Sequence, residues 1–217
     1  MIQRFEEPTG QSVEKIVGQD RFAFAHSDTS DFYDLIEWAE DGGYRGSTLQ
    51  FFDFVTGRVY RPFPKKRNVL YSDPVYAAGF YYFLQGDYDA KKITLYRCFP
   101  ETVLEKVTEL SCEEVNLYNL RIIGDPIHII SQGDTFACYY PETLSFPIDG
   151  REVVLLIQDG KVYSESWVEE GWDEEKDRVT DAYRYYDKVI VRDLRGTVLS
   201  EEVGALYQAA DGAWWIV

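Results

Sequence analysis

The chain has 217 residues and a formal net charge of −16, because 38 acidic residues outnumber 22 basic ones. A field of that sign repels nucleic-acid phosphates and anionic lipid head groups, so we expect neither nucleic acid nor a membrane surface as a partner. Aromatic residues make up 16% of the chain, and such stiff, flat side chains favour strands. These properties predict a β-rich globular protein with a single domain, 1–217.

The N-terminal residues 1–8 lack the apolar core of a signal peptide. No apolar run approaches the roughly 20 residues that span a bilayer. The cysteines, Cys98, Cys112 and Cys138, are an odd and widely spaced set without a C-x-x-C pair. That spacing favours free thiols over a disulfide framework or a zinc site, and we therefore predict a cytoplasmic protein.

A turn motif recurs along the chain and determines the fold prediction. Its clearest copy lies in residues 51–60, where two apolar runs meet at Thr56-Gly57. Related turns follow one another at intervals of roughly 40 to 55 residues, a period typical of propellers and solenoids. The turns are centred on Thr9-Gly10, Thr56-Gly57, Thr102, Thr143 and Gly196-Thr197.

Short strand-like runs fill the intervals between these turns. Asp159-Gly160 and Asp211-Gly212 each separate two apolar runs, which is a strong local signal for a hairpin. The continuous aromatic run at residues 80–83 is typical of a strand buried on both faces between stacked sheets. Each interval therefore holds about four short strands, the content of one propeller blade.

The two ends of the chain predict how the fold closes. Residues 206–217 supply one hairpin and residues 2–17 supply another. Pairing them would build a fifth blade with Trp214 and Trp215 in its core and would remove two exposed sheet edges. The whole pattern resembles five-bladed β-propellers, including their hydrophobic-x-x-x-Thr-Gly-x-hydrophobic turn. The resemblance implies an all-β fold of four-stranded blades, but it includes no family's active-site motif and implies no functional residues.

Two segments favour a different fold class. Residues 31–41 carry apolar side chains at helical spacing behind a polar N-cap, and residues 101–111 repeat that spacing. If both segments are helices, an α+β fold replaces the propeller.

An internal match argues for the propeller. Residues 38–42, beginning at Trp38, resemble residues 167–171, beginning at Trp167, and we predict that they occupy equivalent strands and loops of the first and fourth blades. From Trp167 to the next turn the chain is about eleven residues longer than from Trp38. We place this insertion in residues 172–186 and expect a long loop.

Few residues are candidates for chemistry. His26 and His128 lie on predicted strands, where a packed or hydrogen-bonded histidine is more common than a general base or a metal ligand. The acidic run 173–177 could hold calcium, but it lacks the spaced ligand pattern and predicts a solvated loop. Nucleotide-binding and nucleophile motifs are missing. We therefore expect no catalytic residue, no cofactor and no metal.

The function that best fits this pattern is a non-catalytic binding or interaction module, which presents loops on one face of a propeller. Its ligand would be neutral or cationic: a small molecule, a glycan or a protein. The alternative is a carbohydrate-active enzyme with paired carboxylates, which two facing buried carboxylates with perturbed pKa values would favour. The predicted ligand-binding residues are aromatic and acidic: Trp38, Glu40, Asp41, Trp167, Glu169, Trp172, Tyr183 and Tyr185.

Overall fold

The computed structural model describes residues 2–28 and 31–217, so Met1 of the N-terminal stretch discussed above lies outside the described residues. The described residues form nineteen strands and one helix. Four successive segments fold into antiparallel sheets and the last segment forms a hairpin. The predicted β-rich character is confirmed. Within residues 2–28 and 31–217, no helix has the length and apolar character needed to cross a membrane.

Sheet A and the helix come first along the chain. The helix, α1 (Phe32–Glu40), lies between the second and third strands of the sheet and is capped by Asp31, whose side chain accepts a hydrogen bond from Tyr33 N at 2.8 Å. Burial of Phe32 and Leu35 fixes its apolar face, so the helix predicted at 31–41 is confirmed. The strands, in spatial order, are β1 (Glu14–Lys15), β2 (Phe22–His26), β3 (Leu49–Asp53) and β4 (Val59–Tyr60).

Sheet B shows that the second predicted helix is wrong. Residues 101–111 contribute strand β9, which pairs with β8 along its whole length. Tertiary pairing here overrides a helical spacing of apolar residues, which is a weak prior on its own. The strands are β5 (Val69–Tyr71), β6 (Val75–Ala77), β7 (Phe80–Asp87), β8 (Lys92–Phe99) and β9 (Val103–Ser111). Both β5 and β6 pair with β7, as two halves of one interrupted first strand.

Sheets C, D and E complete the chain. Sheet C contains β10 (Arg121–Ile123), β11 (His128–Gln132), β12 (Thr135–Tyr140) and β13 (Leu144–Pro147). Sheet D contains β14 (Glu152–Gln158), β15 (Lys161–Asp173), β16 (Arg178–Asp193) and β17 (Val198–Val203). Sheet E is a hairpin of β18 (Leu206–Gln208) and β19 (Trp214–Ile216). The hairpins predicted at Asp159-Gly160 and Asp211-Gly212 are confirmed, since they join β14 to β15 and β18 to β19.

Four of the five recurring turns take the same place in successive sheets. The turns at Thr56, Thr102, Thr143 and Thr197 each join the third strand of a sheet to the fourth. Asp53 and Asp193 hold two of them in the same way, with one carboxylate oxygen accepting backbone N–H bonds from the turn at 2.8 to 2.9 Å. The remaining turn, at Thr9-Gly10, joins no described strands.

The sheets face one another in chain order and bury three apolar clusters. The first cluster lies between sheets A and B, the second between sheets B and C with α1, and the third between sheets C and D. Strand β7 contributes to two of them, because Tyr81 and Phe83 belong to the first cluster whereas Tyr82 and Leu84 belong to the second. The predicted burial of residues 80–83 is confirmed for the face of Tyr81 and Phe83, whereas Phe80 and Tyr82 on the other face are half-buried.

The predicted pairing of the two chain ends is wrong at the level of strands. Strand β1 pairs with β2, and β19 pairs with β18. Residues 2–13 form no described strand, and Phe5 instead packs against Phe52 and Phe54, with ring centroids 5.2 and 5.4 Å apart. Trp214 is half-buried and Trp215 is 61% exposed, so neither forms a closed core.

Sheet E is nevertheless attached to both of its neighbours by hydrogen bonds. On one side Leu206 N donates to Glu165 Oε2 of sheet D at 2.7 Å. On the other side Gly18 N, in the turn after β1, donates to Ala210 O in the turn of sheet E at 3.1 Å. Contacts therefore run from A through B, C, D and E and back to A.

Candidate functional site

Two strands of sheet D extend far beyond their neighbours. Strand β14 pairs with β15 up to Ser166, and β17 pairs with β16 from Lys188 onward. Residues 167–187 therefore project as a two-stranded ribbon, which we call the ribbon. The extra length predicted in residues 172–186 is present, but the expectation of a loop is wrong. Cross-strand pairs and a high content of Tyr, Val and Thr favour strands here, and the turn is confined to residues 174–177.

Four aromatic rings form a line on the ribbon, which we call the ring row: Trp167, Tyr185, Tyr183 and Trp172. Successive ring centroids lie 6.4, 6.4 and 6.5 Å apart. Two local features produce this line. Glu169 is registered opposite Tyr185, which places the two side chains on one face of the ribbon. Gly171 then takes φ +78° at a register irregularity, which breaks the strand's alternation just before Trp172.

The ring row is exposed to solvent. Trp167 and Trp172 are each 44% exposed and Tyr185 is 67% exposed, whereas Tyr183 is half-buried. The Tyr183 hydroxyl donates to Glu169 Oε1 at 2.8 Å, and this hydrogen bond raises the pKa of Tyr183 above its usual value. A carboxylate is therefore fixed in the middle of the line of rings.

One cationic side chain of the ribbon, Arg184, is paired on the face opposite the ring row. Arg184 is paired with Glu170, which also accepts a hydrogen bond from the Tyr186 hydroxyl at 2.9 Å. Those two bonds hold the pKa of Glu170 below its usual value. The Arg184 guanidinium lies 5.4 Å from the Tyr186 ring centroid, and Glu170 and Arg184 are registered partners on the opposite face. The two faces of the ribbon thus differ, with a charge-paired face behind an acidic and aromatic one.

The other predicted ligand-binding residues lie on a different element. Trp38 is on α1, 36% exposed, with its ring centroid 4.9 Å from that of Tyr44. Glu40 accepts a hydrogen bond from the Tyr88 hydroxyl at 3.2 Å, and Asp41 ends the helix. The structure therefore brings together Trp167, Glu169, Trp172, Tyr183 and Tyr185, and places Trp38, Glu40 and Asp41 on the helix.

The predicted equivalence of residues 38–42 and 167–171 is wrong in secondary structure. Trp38 belongs to a helix that packs against β5, whereas Trp167 belongs to a strand. The motif is short, and its Trp-x-Glu core fits an amphipathic helix as well as a two-faced strand. Both stretches do occupy the connection region between the second and third strands of their sheets.

A cavity of about 460 Å³ is lined by residues of all five sheets, most of them on the first strand of a sheet or in the turn that follows it. Each sheet supplies at least one wall residue: Glu14 from sheet A, Tyr76 from sheet B, Ile122 from sheet C, Leu155 from sheet D and Gln208 from sheet E. The five sheets therefore converge on one space.

A second cavity, of about 540 Å³, is rich in carboxylates. His26 lies in its wall with Nε2 2.9 Å from Asp73 Oδ1, and His128 has Nδ1 2.8 Å from Pro126 O, so the prediction of hydrogen-bonded strand histidines is confirmed for both. Sequence reasoning missed this acidic cavity because its acids come from distant segments. They are Glu14, Asp28, Asp31, Asp34 and Asp73. In the described part of the chain, no cluster of His, Cys, Asp or Glu is arranged to hold a metal ion.

The two carboxylates that are almost fully buried, Asp53 and Glu152, form structural ion pairs with arginines. Burial by itself would raise each pKa, but hydrogen bonds from Arg21 to Asp53 and from Arg192 to Glu152 leave both pKa values below their usual range. The ion pairs measure 2.8 and 2.7 Å. Each acid is neutralised within its own sheet, and the two lie on different sheets.

Comparison with known protein families, with curated proteins and with solved structures found no match. What the molecule can bind therefore follows from the chemistry of its own surfaces. Exposed aromatic rings offer flat apolar faces to sugars and to cations. A fixed carboxylate among them adds a hydrogen-bond acceptor and a negative charge.

Proposed function

We propose that this protein is a non-catalytic binding protein built as a five-bladed β-propeller, and that its ligand lies on the ring row. Support for the fold comes from the series of contacts from A to B to C to D to E and back to A, and from the cavity that residues of all five sheets line. Sheets A to D would be blades and sheet E a fifth blade of two strands.

The propeller arrangement determines which features share an end of the molecule. Connections between second and third strands emerge at the same end of every blade. The ribbon and α1 are both such connections, and the acidic cavity includes His26 and Asp28, which lead into α1. We therefore propose that Trp38, Glu40 and Asp41 border the ligand-binding end, while the ring row makes the main contacts.

The observation that carries the proposal is a row of four neighbouring aromatic rings, three of them exposed, on an element without a core of its own. Large exposed aromatic surfaces on a folded protein commonly mark interaction sites. None of the ring-row residues belongs to an apolar cluster of the described residues. A ligand that is neutral or cationic would cover the rings and approach Glu169.

The carbohydrate-active enzyme receives less support. That reaction needs two facing carboxylates, one of them with a raised pKa. Asp53 and Glu152 are the almost fully buried acids of the described residues, their pKa values are lowered, and each binds an arginine. A glycan would therefore be bound by this protein rather than cleaved.

A ligand screen followed by paired substitutions tests the proposal. The purified chain is screened against a glycan array and a panel of organic cations, and any ligand found is then titrated by calorimetry. We expect Trp172→Ala with Tyr185→Ala to weaken binding about tenfold or more, because two stacking faces are lost.

Sheet E supplies a matched control. Tyr207 and Trp215 are an exposed cross-strand pair, 59% and 61% exposed, outside the ribbon. The double variant Tyr207→Ala with Trp215→Ala should bind as the natural sequence does. A ligand whose affinity is the same in the natural and the ribbon-variant proteins, both folded by circular dichroism, would show that the site lies elsewhere.

A further inference from the structure

The ribbon has an unpaired edge. Beyond Ser166 strand β15 has β16 on one side, and no described strand pairs with its other side. The backbone groups of residues 167–170 that point away from β16 therefore form an open row of alternating N–H donors and C=O acceptors. Such an edge is a template for a further strand, and proteins commonly block it with lysine or proline. Residues 167–173 contain neither.

The face above this edge is negatively charged and aromatic. Glu169 lies within the ring row, and Asp187 is registered opposite Trp167. Arg184 and Lys176 pair with Glu170 and Asp173 respectively, and Arg178 is registered opposite Asp173 near the tip of the ribbon. Residues 167–187 carry eight acidic and three basic side chains, which adds to the excess in the chain as a whole. The negative charge of this face therefore favours a cationic partner.

Guanidinium groups match this face in two ways. A planar guanidinium stacks on Trp and Tyr rings and also forms hydrogen bonds with a carboxylate. Glu169 still has acceptor capacity after binding Tyr183, since an ionised carboxylate offers about four lone-pair sites. The distance of 6.4 Å between neighbouring rings is close to the spacing of roughly 6.6 Å between side chains on one face of a strand.

We propose that the ribbon binds an extended, arginine-rich segment of a partner protein, which adds as a strand to the free edge of β15 and lays alternate side chains over the ring row. This inference rests on the proposed function, because it assigns a ligand class to the same surface. A polypeptide fits better than a glycan because it matches both the backbone edge and the negative charge. Nucleic acid is repelled by the same charge.

Fluorescence anisotropy with labelled peptides tests the proposal on the full chain. The probe is an eight-residue peptide of alternating Thr and Arg, and peptides with Gln or Glu in place of Arg are its controls. We expect the Arg peptide to bind, the Gln peptide to bind about tenfold more weakly and the Glu peptide not to bind. Trp167→Ala with Tyr185→Ala, and separately Glu169→Gln, should each weaken the Arg peptide severalfold or more, whereas Tyr207→Ala with Trp215→Ala should not.

Backbone methylation distinguishes strand addition from attraction between opposite charges. One Arg peptide is N-methylated at every Thr and another at every Arg. In a strand only alternate amides face β15, so one of the two should lose binding and the other should keep it. If both methylated peptides bind as the parent does, strand addition is wrong.

The remaining outcomes separate this inference from the proposed function. The Arg peptide could bind the ring-row variants as tightly as it binds the natural sequence. Its affinity would then come only from the net negative charge of the protein, and the inference would be overturned. A neutral oligosaccharide that binds through the ring row while the Arg peptide does not would overturn the inference and leave the proposed function standing. If no ligand is sensitive to the ring-row substitutions, both fail.

Discussion

Two groups of aromatic side chains in this protein have similar spacing and opposite surroundings. In the cluster between sheets A and B, the Phe51 ring lies 5.5 Å from Tyr81 and 6.3 Å from Phe83, and all three side chains are almost completely buried. In the ring row the spacing is 6.4 to 6.5 Å, yet three of the four rings are well exposed. Ring-to-ring contact alone therefore does not distinguish a core from a binding surface.

The difference lies in the number of layers. Tyr81 and Phe83 stand between two sheets, and each gains roughly 1.5 to 3 kcal/mol from removing its surface from water. The ring row stands on a single two-stranded ribbon, and a two-stranded element is marginally stable by itself. A partner would act as the missing second layer.

The largest effect is expected in the buried cluster. Phe83→Ala removes a ring that is 0% exposed and leaves a cavity between two sheets, which should lower the free energy of unfolding by about 3 to 5 kcal/mol. Trp172→Ala, which removes a larger ring from the ribbon, should cost less than about 1 kcal/mol. Urea denaturation of both variants measures the contrast. Similar losses for the two would mean that the ring row is part of the structural core.

The next largest loss of stability is expected when the ion pair between Glu152 and Arg192, near the base of the ribbon, is broken. Glu152 is 1% exposed and bound to Arg192, whose side chain is 14% exposed. Glu152→Ala would leave that half-buried guanidinium without its counter-ion, at a cost of about 3 kcal/mol. A cost of under about 1 kcal/mol in chemical denaturation would contradict this account.

The ion pair between Glu152 and Arg192 also predicts how the stability of the fold depends on pH. Because the folded pKa of Glu152 lies below its unfolded value, the acid contributes stability above the unfolded pKa of about 4.3 and loses it as the pH falls through the folded pKa. Glu152→Gln should therefore reduce the loss of stability between about pH 5 and pH 2. An unchanged acid transition in that variant would show that other carboxylates determine it.

Local signals in the sequence predicted much of this fold. Turns at Thr56, Thr102, Thr143 and Thr197 were visible because turn chemistry is encoded within a few residues, and the Asp-Gly hairpins were visible for the same reason. Long-range features were not. Residues 103–111 carry apolar side chains that fit a helix or an edge strand, and pairing with β8 decides between them. The chain ends were misassigned because residues 2–13 pack through Phe5 rather than as strands.

The candidate site was predicted in part. The aromatic composition of the insertion identified Trp172, Tyr183 and Tyr185, and the match between residues 38–42 and 167–171 identified Trp167 and Glu169. The free edge of β15 depends on where β14 stops pairing, which no local pattern specifies. The acidic cavity joins sheets A, B and C, and its residues are up to about a hundred positions apart. Such a site becomes apparent only when the topology is known.

A smaller loss of stability is expected from a substitution at Trp38, which is more exposed than the rings between sheets A and B and less exposed than Tyr185 of the ring row. It is 36% exposed and packs against Tyr44, so Trp38→Ala should lower the free energy of unfolding by about 1 to 2 kcal/mol. Trp215→Ala, with a more exposed ring, should cost less than about 0.5 kcal/mol and serves as its control. If Trp38→Ala is as mild as its control, Trp38 resembles the ring row rather than the core, and its proposed place at the border of the ligand site gains weight.

Little effect on stability is expected even from removing the whole ribbon. Ser166 and Lys188 are registered partners at the base of the ribbon, so an Asn-Gly turn can join them in place of residues 167–187. None of the residues removed belongs to an apolar cluster of the described chain, and β14, β16 and β17 keep their pairing. The free energy of unfolding should change by less than about 1 kcal/mol.

In a second variant Asn-Gly replaces residues 174–177, which shortens the tip and preserves the ring row. Both variants should unfold in urea near the midpoint of the natural protein, and of the two only the second should bind a ribbon ligand. A ribbon-less chain that is insoluble, or that loses about 3 kcal/mol or more, would show that the exposed rings stabilise the fold and would remove the contrast between the two aromatic groups.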